Sequence, residues 1–116
     1  MLREEFLSRI MEEACKRELL GEAFIRDNAD IIPWNYVCRH QFLSHKFIRE
    51  FQDKICWREL TQNKRINFTI DFMREFQDRI PWIKMSENEF LYNNDRAIEE
   101  FKDKVSWYHI KWYQSC

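Results

Sequence analysis

Cysteine and histidine side chains are the first candidates for chemistry in this chain, because both can ligate zinc or take part in nucleophilic catalysis. Cys38, His40 and His45 form the one cluster of the two types in the sequence. Their spacing differs from that of known zinc sites, and a helix start is predicted between the two histidines. His109 has no evident partner in the sequence. We therefore predict no metal ligand, no cofactor and no catalytic residue.

Four aspartates stand at the same position of an internal repeat and would look catalytic if only one or two were noticed. They are Asp30, Asp53, Asp78 and Asp103. An active site uses one or two catalytic carboxylates. A carboxylate that occurs in every copy of a repeat more simply meets a structural requirement of the repeat. We predict that these side chains cap a short connection or accept hydrogen bonds at the start of the helix that follows.

Large aromatic residues recur in the same register. The tryptophans are Trp34, Trp57, Trp82 and Trp107, and the phenylalanines that define later copies are Phe51, Phe76 and Phe101. Such a series could stack the bases of a single strand, but base stacking also needs a basic groove. Nineteen basic and twenty acidic residues give a net charge of -1, so we predict that the tryptophans pack in the core.

The internal repeat is the strongest signal in the sequence. Residues 47–57 recur 25 residues later as residues 72–82 and again as residues 97–107, and a weaker first copy covers residues 24–34. Each copy has a leading apolar pair or its equivalent, then Asp, then Ile or Val, then Trp. A pattern of this length in four places indicates duplication of one two-helix unit.

Each copy predicts two short helices, which we term helix A and helix B. Helix A buries the stripe formed by Phe47, Ile48, Phe51 and Ile55 and by the equivalent residues of the other copies. It should begin at an N-cap residue, and helix B should begin at the tryptophan, where the preceding position is often proline. The predicted N-caps are Gly21, Ser44, Thr69 and Asn94, and the residues before tryptophan are Pro33, Cys56, Pro81 and Ser106.

The segment before the first copy, residues 2–19, predicts a further helix. Leu2, Phe6 and Ile10 share one stripe, and Leu7, Met11 and Ala14 lie beside it. The segment is either an N-terminal capping helix or a decayed repeat that starts at Ser8. Residues 61–67 and 86–94 are polar and predict loops or helix ends.

Composition bounds the class of protein. Hydrophobic residues make up 45% and aromatic residues 16% of the 116-residue chain, which excludes the disordered class. The four cysteines lack paired spacing and follow no apolar leader, so we expect reduced thiols in an intracellular compartment and no secretion. No apolar run approaches the length of about 20 residues that spans a bilayer, so we expect no membrane association.

Residues 34–57, with the Leu-Ser-His-Lys-Phe-Ile-Arg-Glu-Phe-Gln-Asp string inside them, resemble repeats found in many proteins of giant DNA viruses of amoebae. Residues 105–110 are similar to the same repeat, and the resemblance covers about residues 20–113. It implies a helical-repeat protein in the host cytoplasm or the virion and carries no assigned activity. The 25-residue spacing, Asn28 and Ala97 depart from the usual pattern and suggest one globular domain instead of an extendable solenoid.

The sequence thus predicts an all-α protein in which tandem two-helix repeats stack into one small globular or short solenoid domain over residues 1–116. A capping helix covers residues 1–20, and the repeats cover residues 21–43, 44–68, 69–93 and 94–116. The predicted function is non-enzymatic: a protein-interaction or structural module whose partner is another protein or a second copy in a homodimer. No small-molecule substrate is expected.

The alternative is a nucleic-acid-associated protein that uses local basic and aromatic residues. Basic character occurs at Lys64 and Arg65 and around Arg39 and His40, and aromatic residues cluster from Tyr108 to Tyr113. With a net charge near zero, the molecule as a whole offers no general attraction to nucleic acid, so this function is the less favoured of the two.

Overall fold

The described part of the chain is all-helical. The computed structural model describes residues 2–115, with side chains described from Glu5 onward, and within these residues it contains ten helices and no strand. The helices are α1 (Leu2–Arg17), α2 (Glu22–Asp27), α3 (Trp34–His40), α4 (His45–Glu50), α5 (Trp57–Leu60), α6 (Ile70–Glu75), α7 (Trp82–Met85), α8 (Glu89–Tyr92), α9 (Asp95–Glu100) and α10 (Trp107–Gln114). The predicted fold class, all-α, is confirmed.

The helices form two compact units. The first runs to Asn67 and contains α1 to α5, with α1 packed against α3 and α3 packed against α5. The second begins at Phe68 and contains α6 to α10, with α8 packed against both α9 and α10. The boundary falls within one residue of the junction predicted between the second and third repeats. The single domain over residues 1–116 stays a prediction.

Helix A begins where the sequence predicts. The side chains of Ser44, Thr69 and Asn94 accept hydrogen bonds from the backbone N–H three residues later, over 3.1, 3.0 and 3.1 Å. Each bond satisfies one of the amide groups that a helix leaves open at its first turn. Gly21 has no side chain to offer, and it stands at the start of α2 with φ of +82°, which glycine adopts without strain.

Helix A is shorter than the apolar stripe predicts. We expected one helix to include Phe51 and Ile55, but α4 ends at Glu50 and the chain then turns. The carbonyl of Phe51 accepts hydrogen bonds from the N–H groups of Lys54 and Ile55, over 2.8 and 3.1 Å, and this closes the turn. Ile55 is still buried at 7% exposure, because the turn folds it back under the helix end.

Helix B begins at the tryptophan in every copy. The preceding residue is extended each time, with φ between -75° and -87° and ψ between 92° and 102°. α5 and α7 contain only four residues, less than the two to three turns predicted. Residues 61–67 contain no helix. Residues 86–94, predicted to be a loop or helix ends, contain the separate short helix α8, which Asn88 caps by accepting from Phe90 N over 2.8 Å.

The N-terminal segment is one continuous helix, α1, of 16 residues. The helix therefore does not begin at Ser8, and both the capping helix and the decayed repeat stay predictions. Cys15 is fully buried on the side that faces the unit, whereas Phe6, Leu7 and Ile10 are exposed. The predicted position of Leu2 on the stripe lies outside the described side chains.

Each unit has its own apolar core. In the first it comprises Cys15, Ile25, Ile32, Val37, Cys38, Leu43, Phe47, Ile48, Ile55, Leu60 and Ile66. In the second it comprises Phe68, Phe72, Met73, Phe76, Ile80, Met85, Leu91, Ala97, Ile98, Phe101, Val105 and Ile110. No helix of residues 2–115 is both long enough and apolar enough to cross a bilayer.

Candidate interaction surfaces

The outer face of α1 carries a stripe of uncovered apolar side chains. Phe6, Leu7 and Ile10 are 64%, 50% and 49% exposed, and they lie within one turn of the helix. Ala14 continues the stripe toward the C-terminal end. Apolar side chains that are grouped in this way on one helix mark a surface for a partner more often than the same residues scattered singly.

Charged residues of alternating sign border this stripe. Glu5, Arg9, Glu13 and Arg17 follow one another at intervals of four residues, so they run along the helix beside Phe6 and its neighbours. Glu13 pairs with Arg17 over 3.2 Å and with Lys16 over 3.6 Å. Together with the apolar stripe they border an open groove of about 460 Å³ along α1, lined by Phe6, Arg9, Ile10, Glu13, Ala14, Arg17 and Glu18.

A second group of exposed aromatic side chains lies on α10. Trp107, Tyr108 and Trp112 are 47%, 74% and 59% exposed. Trp107 donates its indole N–H to the carbonyl of Lys102, and the Tyr108 ring packs edge-on against His109 at 5.3 Å. These residues belong to the second unit, whereas Lys64 and Arg65 belong to the first.

The repeated tryptophans have a common hydrogen bond. Each indole N–H donates to the backbone carbonyl five residues earlier, which ties the start of helix B to the turn before it. The acceptors are Ala29 for Trp34, Gln52 for Trp57, Gln77 for Trp82 and Lys102 for Trp107, over 2.9, 3.3, 3.0 and 3.1 Å.

The prediction that the tryptophans are core residues is too strong. Trp34, Trp57 and Trp82 are half-buried and Trp107 is exposed. An indole that donates to a carbonyl in a surface turn has to lie at the edge of the core, because that carbonyl is near solvent. The tryptophans therefore cover the core from outside.

The phenylalanine of a later copy supports the tryptophan of the copy before it. The rings of Trp34 and Phe51 are 5.5 Å apart, and those of Trp82 and Phe101 are 4.9 Å apart. Phe101 is buried, as is Phe76 in the second unit, whereas Phe51 is half-buried. Aromatic pairs at such distances stabilise a fold beyond the area they bury.

The sequence predicts that the recurring aspartates cap a short connection or accept hydrogen bonds at the start of helix B, and the second role is not seen at Asp30, Asp78 and Asp103. All four side chains are exposed. In the described structure, the carboxylates of Asp30, Asp78 and Asp103 accept no hydrogen bond at the start of helix B, and no side chain caps any of those helices. Each aspartate stands four residues before the tryptophan. The extended residue just before the tryptophan separates it from the first turn of helix B, so the aspartate lies on the outside of the turn.

Cys38, His40 and His45 do not converge. Cys38 is buried and accepts a hydrogen bond from the backbone N–H of Cys56 over 3.2 Å. The His40 ring stacks near Tyr36 at 6.5 Å, while His45 contacts the backbone carbonyl of Asn67. Within residues 2–115 no three His, Cys, Asp or Glu side chains are placed to hold a metal ion.

His109 has partners that sequence reasoning missed. Its Nδ1 lies 2.6 Å from Ser106 Oγ, and its Nε2 lies 3.7 Å from Glu87 Oε1. The order Ser, His, Glu resembles a catalytic triad, but Ser106 is the N-cap of α10 and His109 stands three residues later. The two side chains are one helical turn apart, so their hydrogen bond is a local contact at the start of α10, and it caps no backbone N–H group there. The i, i+3 spacing was the signal available in the sequence.

Two buried amides, Gln41 and Asn63, were also missed. The Gln41 side chain accepts from Leu20 N and donates to the carbonyls of Cys15 and Glu18. The Asn63 side chain donates to the carbonyls of Cys38 and Gln41, each over 2.7 Å, and accepts from Arg65 N over 2.7 Å. The signal for Asn63 was its recurrence 25 residues later as Asn88, which accepts in the same way from the N–H two residues on.

Comparisons of the chain with protein-family models, curated proteins and solved structures found no match.

Proposed function

We propose that this protein is a non-enzymatic interaction module that pairs with a second copy of itself through the outer face of α1. The observation that carries the proposal is the apolar stripe of Phe6, Leu7 and Ile10, which nothing in the described structure covers. Burying apolar surface of this kind is the main driving force of protein association. The open groove beside the stripe is lined by residues of α1 and by Glu18, and it extends the surface on which a second helix can pack.

The charges on α1 favour a second copy as the occupant. When two such helices pair in opposite directions, Arg9 of one copy faces Glu13 of the other, and Glu5 faces Arg17. Each contact occurs twice because a two-fold axis relates the copies. In a parallel pair this row of charges faces the opposite flank of the partner helix, so Arg9 and Glu13 do not meet. The antiparallel dimer therefore satisfies both the apolar stripe and its charged border.

The expected affinity is modest. A single pair of short helices lies at the lower end of the range of specific interfaces, so we expect a Kd on the order of 10 µM and a dimer that dissociates on dilution. Ion pairs at the exposed border add little, because water and salt screen them.

We also propose that the four copies are stacked repeats with α1 as their N-terminal cap, in a protein of a giant virus of amoebae that acts in the host cytoplasm or the virion. Matching ion pairs support the stacking. Arg26 binds Glu50 over 2.9 Å in the first unit and Arg74 binds Glu100 over 2.7 Å in the second, and both join the same two positions of successive copies.

The experiment is size-exclusion chromatography with light scattering over about 5–500 µM protein, a range that brackets the expected Kd. Ile10→Glu should abolish the dimer, because it places a charge in the apolar stripe. Ile83→Glu is the matched control, since Ile83 is exposed at 61% but lies on α7. Circular dichroism should show that both variants remain folded.

A charge exchange tests the antiparallel register. Arg9→Glu should weaken the dimer, because it opposes two acidic residues across the interface. Adding Glu13→Arg to that variant should restore the affinity, since the exchanged charges again face each other. A monomer at every concentration, or an Ile83→Glu variant that loses the dimer as fully as Ile10→Glu, would rule out pairing through α1.

A further inference from the structure

Basic side chains from three separate segments of the first unit meet at one cleft of about 400 Å³. Lys16 comes from the last turn of α1, Arg39 and His40 come from the last turn of α3, and Lys64 and Arg65 come from the segment after α5. The amides of Gln62 and Asn63 complete its lining, and no carboxylate takes part. In the sequence these residues are up to 49 positions apart, and only Lys64 and Arg65 stand out as a basic pair.

Buried hydrogen bonds hold the three segments in place. Gln41 joins α3 to the end of α1 through the carbonyls of Cys15 and Glu18, and Asn63 joins the later segment to α3 through the carbonyls of Cys38 and Gln41. Gln41 is 1% and Asn63 is 2% exposed, so water does not compete for these bonds. The basic side chains are therefore brought together by the core of the unit.

The charges in the cleft are only partly neutralised. Arg39 pairs with Glu59 over 3.3 Å and Lys16 with Glu13 over 3.6 Å, but Lys64 and Arg65 make no ion pair within the described residues. Burial lowers the pKa of His40, and so do the nearby cations Arg39, Lys16 and Arg65, against the opposite effect of Glu59. Cations held together at this density repel one another, and a bound anion would relieve that repulsion.

We infer that this cleft is a binding site for a small anion with a chain of two or three phosphate groups. Arginine forks and lysine ammonium groups are the donors that phosphate oxygens prefer, and the cleft offers two of each. Its volume accommodates a phosphate chain, and the Gln62 side-chain amide beside the cations can donate to an oxygen that the cations leave open.

The phosphate chain has two sources, a free inorganic oligophosphate or the phosphates of a nucleotide. A nucleotide would place its base next to Tyr36, whose ring lies 4.7 Å from Lys16 Nζ and stacks near His40. A neighbouring cleft of about 420 Å³ is lined by Asn35, Tyr36, Arg39, His40 and Glu59 and shares two residues with the first.

The test is isothermal titration calorimetry with sodium tripolyphosphate and with ATP, at about 50 mM salt, where screening is moderate. The variant is Lys64→Gln with Arg65→Gln, because both side chains are exposed and their loss leaves the Asn63 hydrogen bonds in place. The matched control is Lys54→Gln with Lys104→Gln, which removes the same charge from exposed positions outside the cleft. We expect the first variant to bind tripolyphosphate about tenfold or more weakly, and the control to bind within about twofold of the wild type.

The titrations with tripolyphosphate and with ATP distinguish an inorganic oligophosphate from a nucleotide as the ligand. Equal affinity for tripolyphosphate and ATP indicates recognition of the phosphate chain alone, and clearly tighter binding of ATP indicates a nucleotide. The inference is wrong if neither compound binds at millimolar concentration, or if both variants weaken binding equally, which would indicate general charge attraction. It is also wrong if a single-stranded or duplex oligonucleotide binds while tripolyphosphate does not, because the basic surface then serves a nucleic-acid backbone.

Discussion

The side-chain amide of Asn63 donates a hydrogen bond to the backbone carbonyl of Gln41 over 2.7 Å. Both residues are buried, and the Gln41 side chain in turn donates to carbonyls at the end of α1. Three segments of the first unit are thus joined by two amides. Each amide donates to backbone carbonyls at a helix end that are shielded from water and would otherwise have no donor. The network therefore fixes the positions of the three segments relative to one another.

Removing the Asn63 amide should destabilise the protein. Asn63→Ala leaves the buried carbonyls of Cys38 and Gln41 without a donor, so we expect the free energy of unfolding to fall by about 1–3 kcal/mol. Urea unfolding followed by circular dichroism measures the change. Asn35→Ala is the control, since Asn35 is exposed on α3 and should have little effect. Equal stability of the two variants would contradict the role given to Asn63.

The N-cap of α6 should contribute measurably to the stability of the protein. Thr69 accepts from Phe72 N over 3.0 Å, and a six-residue helix has few other hydrogen bonds. We expect Thr69→Ala to lower the midpoint of urea unfolding, by about 1 kcal/mol in free energy, and Thr69→Ser to keep most of the stability. Similar losses in both variants would show that the methyl group matters more than the oxygen.

The indole hydrogen bond should contribute more to the free energy of unfolding at Trp82 than at Trp107. Trp82→Phe removes the bond to the Gln77 carbonyl at a half-buried site and loosens packing on Phe101, so we expect a loss of about 1–2 kcal/mol. Trp107→Phe removes the equivalent bond from an exposed site, where water replaces it, and should cost less. Thermal and urea unfolding of the two variants compare them directly. The opposite order would contradict the structure.

The buried thiols should be unreactive in the folded protein. Burial is the main cause that raises the pKa of Cys15 to about 11 and that of Cys38 to about 12. At pH 8 only about 0.1% of Cys15, and less of Cys38, is then the reactive thiolate. Iodoacetamide labelling read by peptide mass spectrometry should spare both in the native state and modify both in urea. Cys15, Cys38 and Cys56 are without disulfides in the described structure, and Cys116 lies outside it.

Acid should weaken the ion pair between Arg74 and Glu100. The hydrogen bond from Arg74 lowers the pKa of Glu100 below its ordinary value of 4.5, so the folded state binds this proton less readily than the unfolded state. The stabilisation is present above about pH 4.5 and is lost as the pH falls through the lowered pKa. We expect the free energy of unfolding of Glu100→Gln to change less between about pH 5 and pH 3 than that of the wild type.

Glu99→Gln serves as the control, because Glu99 is the exposed neighbour of Glu100 and pairs with Lys102 over 3.3 Å instead of with Arg74. Its pH profile should follow that of the wild type. Since the pair is on the surface, the difference will be small, and identical profiles for all three proteins would show that it contributes nothing measurable.

The sequence by itself determined the local structure. The N-caps at Ser44, Thr69 and Asn94 and the helix starts at the tryptophans depend on hydrogen bonds and dihedral preferences within a few residues, so residue type and spacing suffice to predict them. The 25-residue recurrence likewise predicts that the same cap and helix start recur in successive copies, as they do at Ser44, Thr69 and Asn94. The length of helix A was overestimated, because an apolar stripe continues through the tight turn that ends it.

Only the tertiary structure determined which side chains of the helices remain exposed to solvent. Phe6 and Cys15 are both apolar residues of α1, yet the first is 64% exposed and the second is fully buried, because α3 covers only the side of the helix on which Cys15 lies. The meeting of Lys16 with Arg65 depends on the hydrogen bonds of Gln41 and Asn63 across more than 20 residues of chain. Long-range contacts of this kind follow from how the helices pack, and residue spacing along the chain does not encode them.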